Sequence, residues 1–195
     1  MPVTRITVAS LRVADIIVST TNAAISGAIR TSMGADISHA SLFTTPNYVI
    51  EAIGDGVIEH TYDLAYREAT LAIALRRRNM TEENKSDVVN HARTFAGLPY
   101  DAVGAAGSGM TTNRGAVIRG AGVLISPLGS AIGEAAILNN ARKANRDTKF
   151  FCSELVARAF ELAGVPIVAS SATYTNPRAI RVSSELMYVG HLIGG

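Results

Sequence analysis

One segment near the C-terminus constrains this chain most. From Cys152 to residue 163 it reads C-S-E-L-V-A-R-A-F-E-L-A. Leu155, Ala159 and Leu162 fall on one stripe of a helix, with Val156, Phe160 and Ala163 on the stripe beside it. Spacings of three and four residues place each set on one side of an α-helix. An apolar arc that wide has to be covered by other elements, so this helix is central. Gly164 and Pro166 stop it.

The remaining sequence supplies the covering elements. V-A-D-I-I-V-S over 13–19 is rich in β-branched residues and reads as a strand. Residues 22–33 form a helix that ends at Gly34, with Ala23, Ile25, Ala28 and Ile29 on one face. The stretch 37–43 alternates and runs into the turn Thr45-Pro46-Asn47. A strand over 48–53 meets the hairpin signal Gly54-Asp55-Gly56, and 57–62 returns. Residues 69–76 are another strand. Thr81 is placed as an N-cap, with Glu82 and Glu83 in the first turn where the helix dipole favours acids. Val88, Ala92 and Phe95 share a face of that helix, which Gly97 ends. Residues 179–187 form a final strand or a short helix, followed by a loose tail from His191. No internal repeat is visible.

Composition excludes several function classes. Of 195 residues, 48% are hydrophobic and 17% charged, enough for a normal core and against wholesale disorder. The length fits one domain, with room for an insertion. A net charge of +2 is too small to argue for nucleic acid. The run Arg76-Arg77-Arg78 is short and reads as a solvated strand end. No apolar run approaches the ~20 residues of a membrane-spanning helix; that over 121–128 is far shorter. Arg12 and Asp15 interrupt the apolar stretch around 11–18, so the start of the sequence does not read as a secretory signal. The segment 102–147 stands apart. It is rich in Gly and Ala, nearly free of aromatics, and sets Glu134 and Asp147 against Arg114, Arg119, Arg142, Lys143 and Arg146. It reads as an insertion with a helix over 133–143. A surface excursion, a cover over a site and a membrane-surface contact are its three open readings.

The single cysteine forms no internal disulfide and supplies no thiolate zinc cluster. Cys152 is either a small buried apolar residue or a reactive one. A lone cysteine is by default a buried packing residue; its place at a helix start, after Phe150-Phe151, brings the reactive reading level with that one. Unpaired N–H groups and the positive end of the helix dipole lower a thiol pKa and can hold an oxyanion. A structural cysteine would sit more naturally on the apolar stripe in mid-helix.

A thiol nucleophile needs a base. Among the four histidines, His91 lies inside a helix, His191 in the tail, and His60 near the outer end of the hairpin's return strand. His39 sits between the small residues Ser38 and Ala40, which leave room for a substrate, and is the candidate base ahead of His60. Glu51 is the candidate third member. It interrupts the apolar strand Y-V-I-E-A-I, where a charge is costly unless paired. The strand, turn and strand between them can set Glu51 beside His39 on the same face; taken alone, Glu51 reads rather as pointing outward to water. There is no G-x-S-x-G elbow, P-loop or H-E-x-x-H. Gly120-Ala121-Gly122 lacks the third glycine of a dinucleotide site. The carboxylates Asp55, Glu59 and Asp63 are turn-associated and solvated.

Taken together, Ala14-Asp15-Ile16-Ile17, Ser38-His39-Ala40-Ser41-Leu42, Val49-Ile50-Glu51-Ala52 with Gly56-Val57, and Phe151-Cys152-Ser153-Glu154-Leu155-Val156 form a pattern. It resembles the circularly permuted branch of the NlpC/P60 papain-like superfamily, in particular the YiiX/YaeF-like hydrolases. The lecithin:retinol acyltransferase-like enzymes share this order, in which the histidine strand precedes the cysteine helix. The resemblance spans about residues 11–164 apart from 102–147. It implies an α+β, permuted papain-like fold with an antiparallel sheet packed on the helix that starts at Cys152, in a single domain over 1–195. It also implies Cys152 as nucleophile, His39 as general base and Glu51 as third polar member, with no metal or organic cofactor. The acyltransferase relatives carry a second histidine where Glu51 stands, so Glu51 favours the hydrolase side. Pro99-Tyr100-Asp101 resembles an element preceding the cysteine helix in relatives. That makes Tyr100 a cleft residue, with Ser38 and Ser153 as further substrate contacts.

The implied function is a cysteine hydrolase that cleaves amide bonds of peptidoglycan stem peptides. Delivery by a dedicated secretion machine, as an antibacterial effector with an immunity protein as partner, would fit. A lipid-directed thiol esterase, phospholipase or acyltransferase is the alternative, and a binding module with a decayed site is the third reading.

Overall fold

Alternation along the strands decides the architecture. In the computed structural model, described for residues 3–101 and 150–194, six strands form one antiparallel sheet. They are β1 (Ile16–Thr21), β2 (His39–Thr45), β3 (Tyr48–Ile53), β4 (Gly56–Thr61), β5 (Ala69–Arg77) and β6 (Leu186–Ile193), in the order β4-β3-β2-β1-β5-β6. The described α-helices are α1 (Ala24–Met33), α2 (Tyr62–Tyr66), α3 (Glu82–Thr94), α4 (Cys152–Leu162) and α5 (Pro177–Arg181), with short 3-10 turns at Val8–Ser10 and Ala172–Tyr174.

Successive side chains point to opposite faces of a strand, and here both faces are covered. On one face Ile16, Val18, Ala40, Leu42, Ile50, Ala52, Ile73 and Leu75 pack with Val88, Val89 and Ala92 of α3 and with Leu155, Val156, Ala159 and Phe160 of α4. On the other, Ile17, Phe43, Val49, Ala72 and Ala74 pack with Leu11 and with Tyr66 of α2. This is why Ile16-Ile17-Val18 is an uninterrupted apolar run: each of the three is fully buried, on alternate sides. Of the stripes expected over 152–163, Leu155, Val156, Ala159 and Phe160 meet the sheet, whereas Leu162, in the last turn, is exposed.

Local punctuation acts as read. Gly34 closes α1 in the left-handed conformation (φ 59). The Thr81 side chain accepts from the Asn84 N–H at 3.1 Å, and the Asn84 side chain accepts from the Thr81 N–H, a reciprocal cap. Gly56 (φ 107) follows the Gly54-Asp55 turn, and a Cβ there would lie 2.6 Å from the Leu98 carbonyl oxygen. That approach lets the Val57 N–H reach Leu98 O at 2.8 Å and the Gly97 N–H reach Val57 O at 2.8 Å, sealing the edge of β4.

Three expectations shift. The strand expected over 13–19 starts only at Ile16, because Ala14 takes a left-handed turn (φ 66) and Asp15 is drawn inside to Arg76. The strand expected over 37–43 runs from His39 to Thr45. The segment left open as strand or helix over 179–187 divides: Asn176 caps α5, Pro177 occupies its first turn, and β6 follows from Leu186. The tail read as loose is therefore a strand. Its register to β5 (Ile73↔His191, Ala74↔Gly190) comes from a distant partner that tail periodicity cannot reveal. The segment 102–147, with the helix expected over 133–143, lies outside the described residues.

Candidate active site

The site is built where pairing between β2 and β3 stops. Their register runs from Thr45↔Tyr48 to Leu42↔Ile50. Beyond it, alternation sets His39, Ser41 and Glu51 on the face opposite Leu42 and Ile50. In the β3–β4 hairpin, Val49 pairs with His60 and Glu51 with Ile58, so His60 is diagonal to Glu51 on that same face.

The α4 helix begins at Cys152. Phe151 before it is extended (φ −100, ψ 165), and no side chain caps the first turn. Phe150 anchors the approach by packing on Phe95, with ring centroids 4.4 Å apart. The Cys152 sulfur takes a hydrogen bond from the Ala40 N–H, one from the Ser153 N–H, and one from the His39 side chain. Cys152 is 6% exposed and Glu51 4%. The side chains of His39 and His60 are 24% and 16% exposed.

The structure brings Cys152, His39 and Glu51 together. His39 Nε2 lies 2.5 Å from Glu51 Oε2, and His60 Nε2 lies 2.6 Å from Glu51 Oε1. An ionised carboxylate only accepts, so both Nε2 atoms donate, leaving His39 Nδ1 for the thiol. Burial works against every charge here, pushing Cys152 and Glu51 up and His39 down. Mutual attraction outweighs it. The His39 charge, with the hydrogen bonds from His39, Ala40 and Ser153, brings the Cys152 thiol below its ordinary value. The charges of Cys152 and Glu51 hold His39 well above its own. Against burial, His39 and then His60 bring Glu51 down to about 2. All three shifts favour a thiolate facing an imidazolium braced by a carboxylate.

The other named residues fall differently. Tyr100 forms a parallel bridge with Phe150, supported by Asp101 N–H to Phe150 O at 2.9 Å. Burial, then the Cys152 charge and Asp101, push its phenol up, so it stays neutral beside the sulfur. Ser38 and Ser153 are buried with their hydroxyls spent on internal bonds. Ser38 pairs with Thr20 at 3.0 Å, while Ser153 Oγ donates to Thr175 O at 2.8 Å and ties the C-terminal loop to the start of α4. Ser153 meets Cys152 through its backbone. His91 lies in α3, and His191 meets Tyr188 at 2.6 Å in β6, apart from this group.

His60 lies near the outer end of its strand, as read from the sequence; what that reading missed is its contact with Glu51. The signal was present. A turn centred on Gly54-Asp55 pairs Ile53 with Gly56, which fixes Glu51 opposite Ile58 and sets His60 one diagonal away.

No family model matches the chain. In sequence it is 24% identical over 207 aligned positions to the probable lipoprotein peptidase YaeF of Escherichia coli strain K12, covering 97% of this chain and 74% of that protein. In fold it is similar to the crystal structure of metalloprotein YiiX from Escherichia coli O157:H7. The TM-score is 0.64 at 16% identity, over 93% of this chain and 97% of that one. The α+β arrangement of a six-stranded antiparallel sheet with helices is thus the YiiX fold. The chain is thus similar in sequence to YaeF and in fold to YiiX.

Proposed function

We propose that this protein is a cysteine hydrolase that forms an acyl-enzyme on Cys152 and cleaves amide bonds, with peptidoglycan stem peptides as the substrate class. The observation that carries the reading is the continuous hydrogen-bonded chain from Cys152 through His39 to Glu51, buried yet charged. A structural cysteine needs no such chain. The order of elements, with the histidine strand before the cysteine helix, supports the permuted papain-like arrangement in one domain interrupted at about 102–147. The named relative is a probable peptidase, which favours amide over ester.

The thiolate of Cys152 attacks the carbonyl carbon, and N–H groups at the start of α4 face the oxygen that gains charge. His39 gives its proton to the departing amine as the C–N bond breaks, leaving a thioester. His39 then takes a proton from water. The hydroxide formed attacks the thioester, releasing the carboxylic acid and the thiolate. Glu51 stabilises the imidazolium in each step.

YiiX is described as a metalloprotein. The residues here do not fit that role: among the described residues no three His, Cys, Asp or Glu side chains are arranged to hold a metal ion. Both Glu51 oxygens already accept from histidines.

The test exposes peptidoglycan sacculi and, separately, phospholipid vesicles to wild type and Cys152→Ala. The expected result is release of stem-peptide fragments by wild type with lipids intact, reduced about 10³-fold or more in the variant. Free fatty acid or lysolipid with intact sacculi would overturn the amide substrate. Equal release by both proteins would overturn the nucleophile.

A further inference from the structure

Glu51 is a buried carboxylate whose hydrogen-bond donors, among the described residues, are two imidazoles. His39 takes Oε2 from β2, and His60 takes Oε1 from β4, so Glu51 on β3 is held from both neighbouring strands. The other polar group close on this face, the Ser41 hydroxyl, is engaged by the Tyr66 hydroxyl of α2.

We propose that His60 is a positioning residue that fixes Glu51 in the rotamer and charge state His39 requires, so that Cys152, His39, Glu51 and His60 act as one four-membered chain. This rests on the nucleophilic role proposed for Cys152. His60 contacts no reacting atom; it acts through Glu51. A carboxylate anchored at one oxygen turns about its terminal torsion, and the second donor removes that freedom. The donor also stabilises the ionised form, which in turn sustains the imidazolium and the thiolate.

Few other charges face the group. Tyr66 on α2 stays neutral, since burial and then the Glu51 charge push its phenol well up. Tyr62 on the same helix is also pushed up, by burial and then by Asp63. Glu59 alternates to the opposite face of β4, where Arg93 of α3 pairs with it at 2.7 Å. Cys152 of α4 and His39 of β2 are members of the chain itself.

The experiment follows iodoacetamide alkylation of Cys152 from pH 4 to 10 in wild type, His60→Ala and His60→Gln, with hydrolysis rates alongside. Glutamine can place an N–H near the position of Nε2 and restore the bond to Oε1. Wild type and His60→Gln are expected to share a midpoint below the ordinary thiol value. In His60→Ala the midpoint rises by about one pH unit, so the rate at a fixed acidic pH falls roughly tenfold. Its kcat falls by a similar factor with KM unchanged, while the alkylation rate at pH 10 matches wild type, which shows a folded site. A depressed wild-type midpoint that His60→Ala leaves unmoved would overturn the role of His60 alone. Failure of glutamine to rescue would overturn positioning by hydrogen-bond donation. A wild-type midpoint at the ordinary thiol value would overturn the nucleophile, and the role of His60 with it.

Discussion

Glu51 shows how a single charge can be stable in an apolar strand. It follows Ile50 and precedes Ala52 in a buried strand and is itself 4% exposed, where an unpaired carboxylate would be protonated or expelled. Two histidine donors reverse that and bring its pKa to about 2 from an ordinary 4.5. A group with a lowered folded pKa stabilises the fold above its unfolded value and loses that contribution as pH falls through the folded one. The stability gap between wild type and Glu51→Gln is therefore expected to shrink by about 3 kcal/mol between pH 5 and pH 2. Urea midpoints across that range read it directly. A gap independent of pH would mean that Glu51 titrates alike in the folded and unfolded chain. The sequence marked Glu51 as costly; whether it was paired or turned to water depended on His39 and His60, one strand away on either side.

At the scale of elements, short-range chemistry was legible and long-range pairing was not. Thr81, Gly34 and Gly54-Asp55 act where the sequence put them, because caps and tight turns are decided within a few residues. The start of β1, the helix α2 and the strand β6 escaped. Each depends on a partner far along the chain: Arg76 for Asp15, Ser41 for Tyr66, and β5 for β6. The β3–β4 hairpin joins the two regimes, since a local turn presents Glu51 and His60 together. Gly56 is its critical residue, with φ 107 and the Leu98 carbonyl at 2.6 Å from where a Cβ would stand. Gly56→Ala is expected to destabilise the protein by more than about 1 kcal/mol and to slow Cys152 alkylation at acidic pH. Thermal melts and alkylation rates report the two effects. A stable variant with an intact alkylation profile would separate the hairpin from the site.

Across the whole molecule, the sheet is a spine buried on both faces, and the site lies where three of its strands meet the start of α4. Among the described residues the sheet also holds an ion pair whose carboxylate is buried and whose guanidinium is half-buried. Asp15, fully buried, accepts from Arg76 Nε and Nη2 at 2.6 Å each, tying the start of β1 to β5. Removing one partner of such a pair leaves the other uncompensated. Asp15→Ala is expected to cost about 3–5 kcal/mol, measured by denaturant unfolding, with the Cys152 alkylation profile unchanged in the fraction that remains folded. An altered profile would mean that the sheet transmits strain from this end to the site.

By itself the sequence determined the central helix, the cysteine at its start and most of the turns. It also determined the chemical types available to the site: one thiol, His39 as a candidate base, and a carboxylate costly to bury unless paired. Those follow from periodicity, backbone geometry and the expense of burying charge, all set within a few residues. Only the tertiary structure decided that Glu51 serves two histidines, that Ser38 and Ser153 support the fold through their hydroxyls, and that the tail from His191 belongs to a strand. Those depend on register and on side chains brought together from distant parts of the chain. The free energy that selects among such pairings comes from burying both faces of the sheet at once.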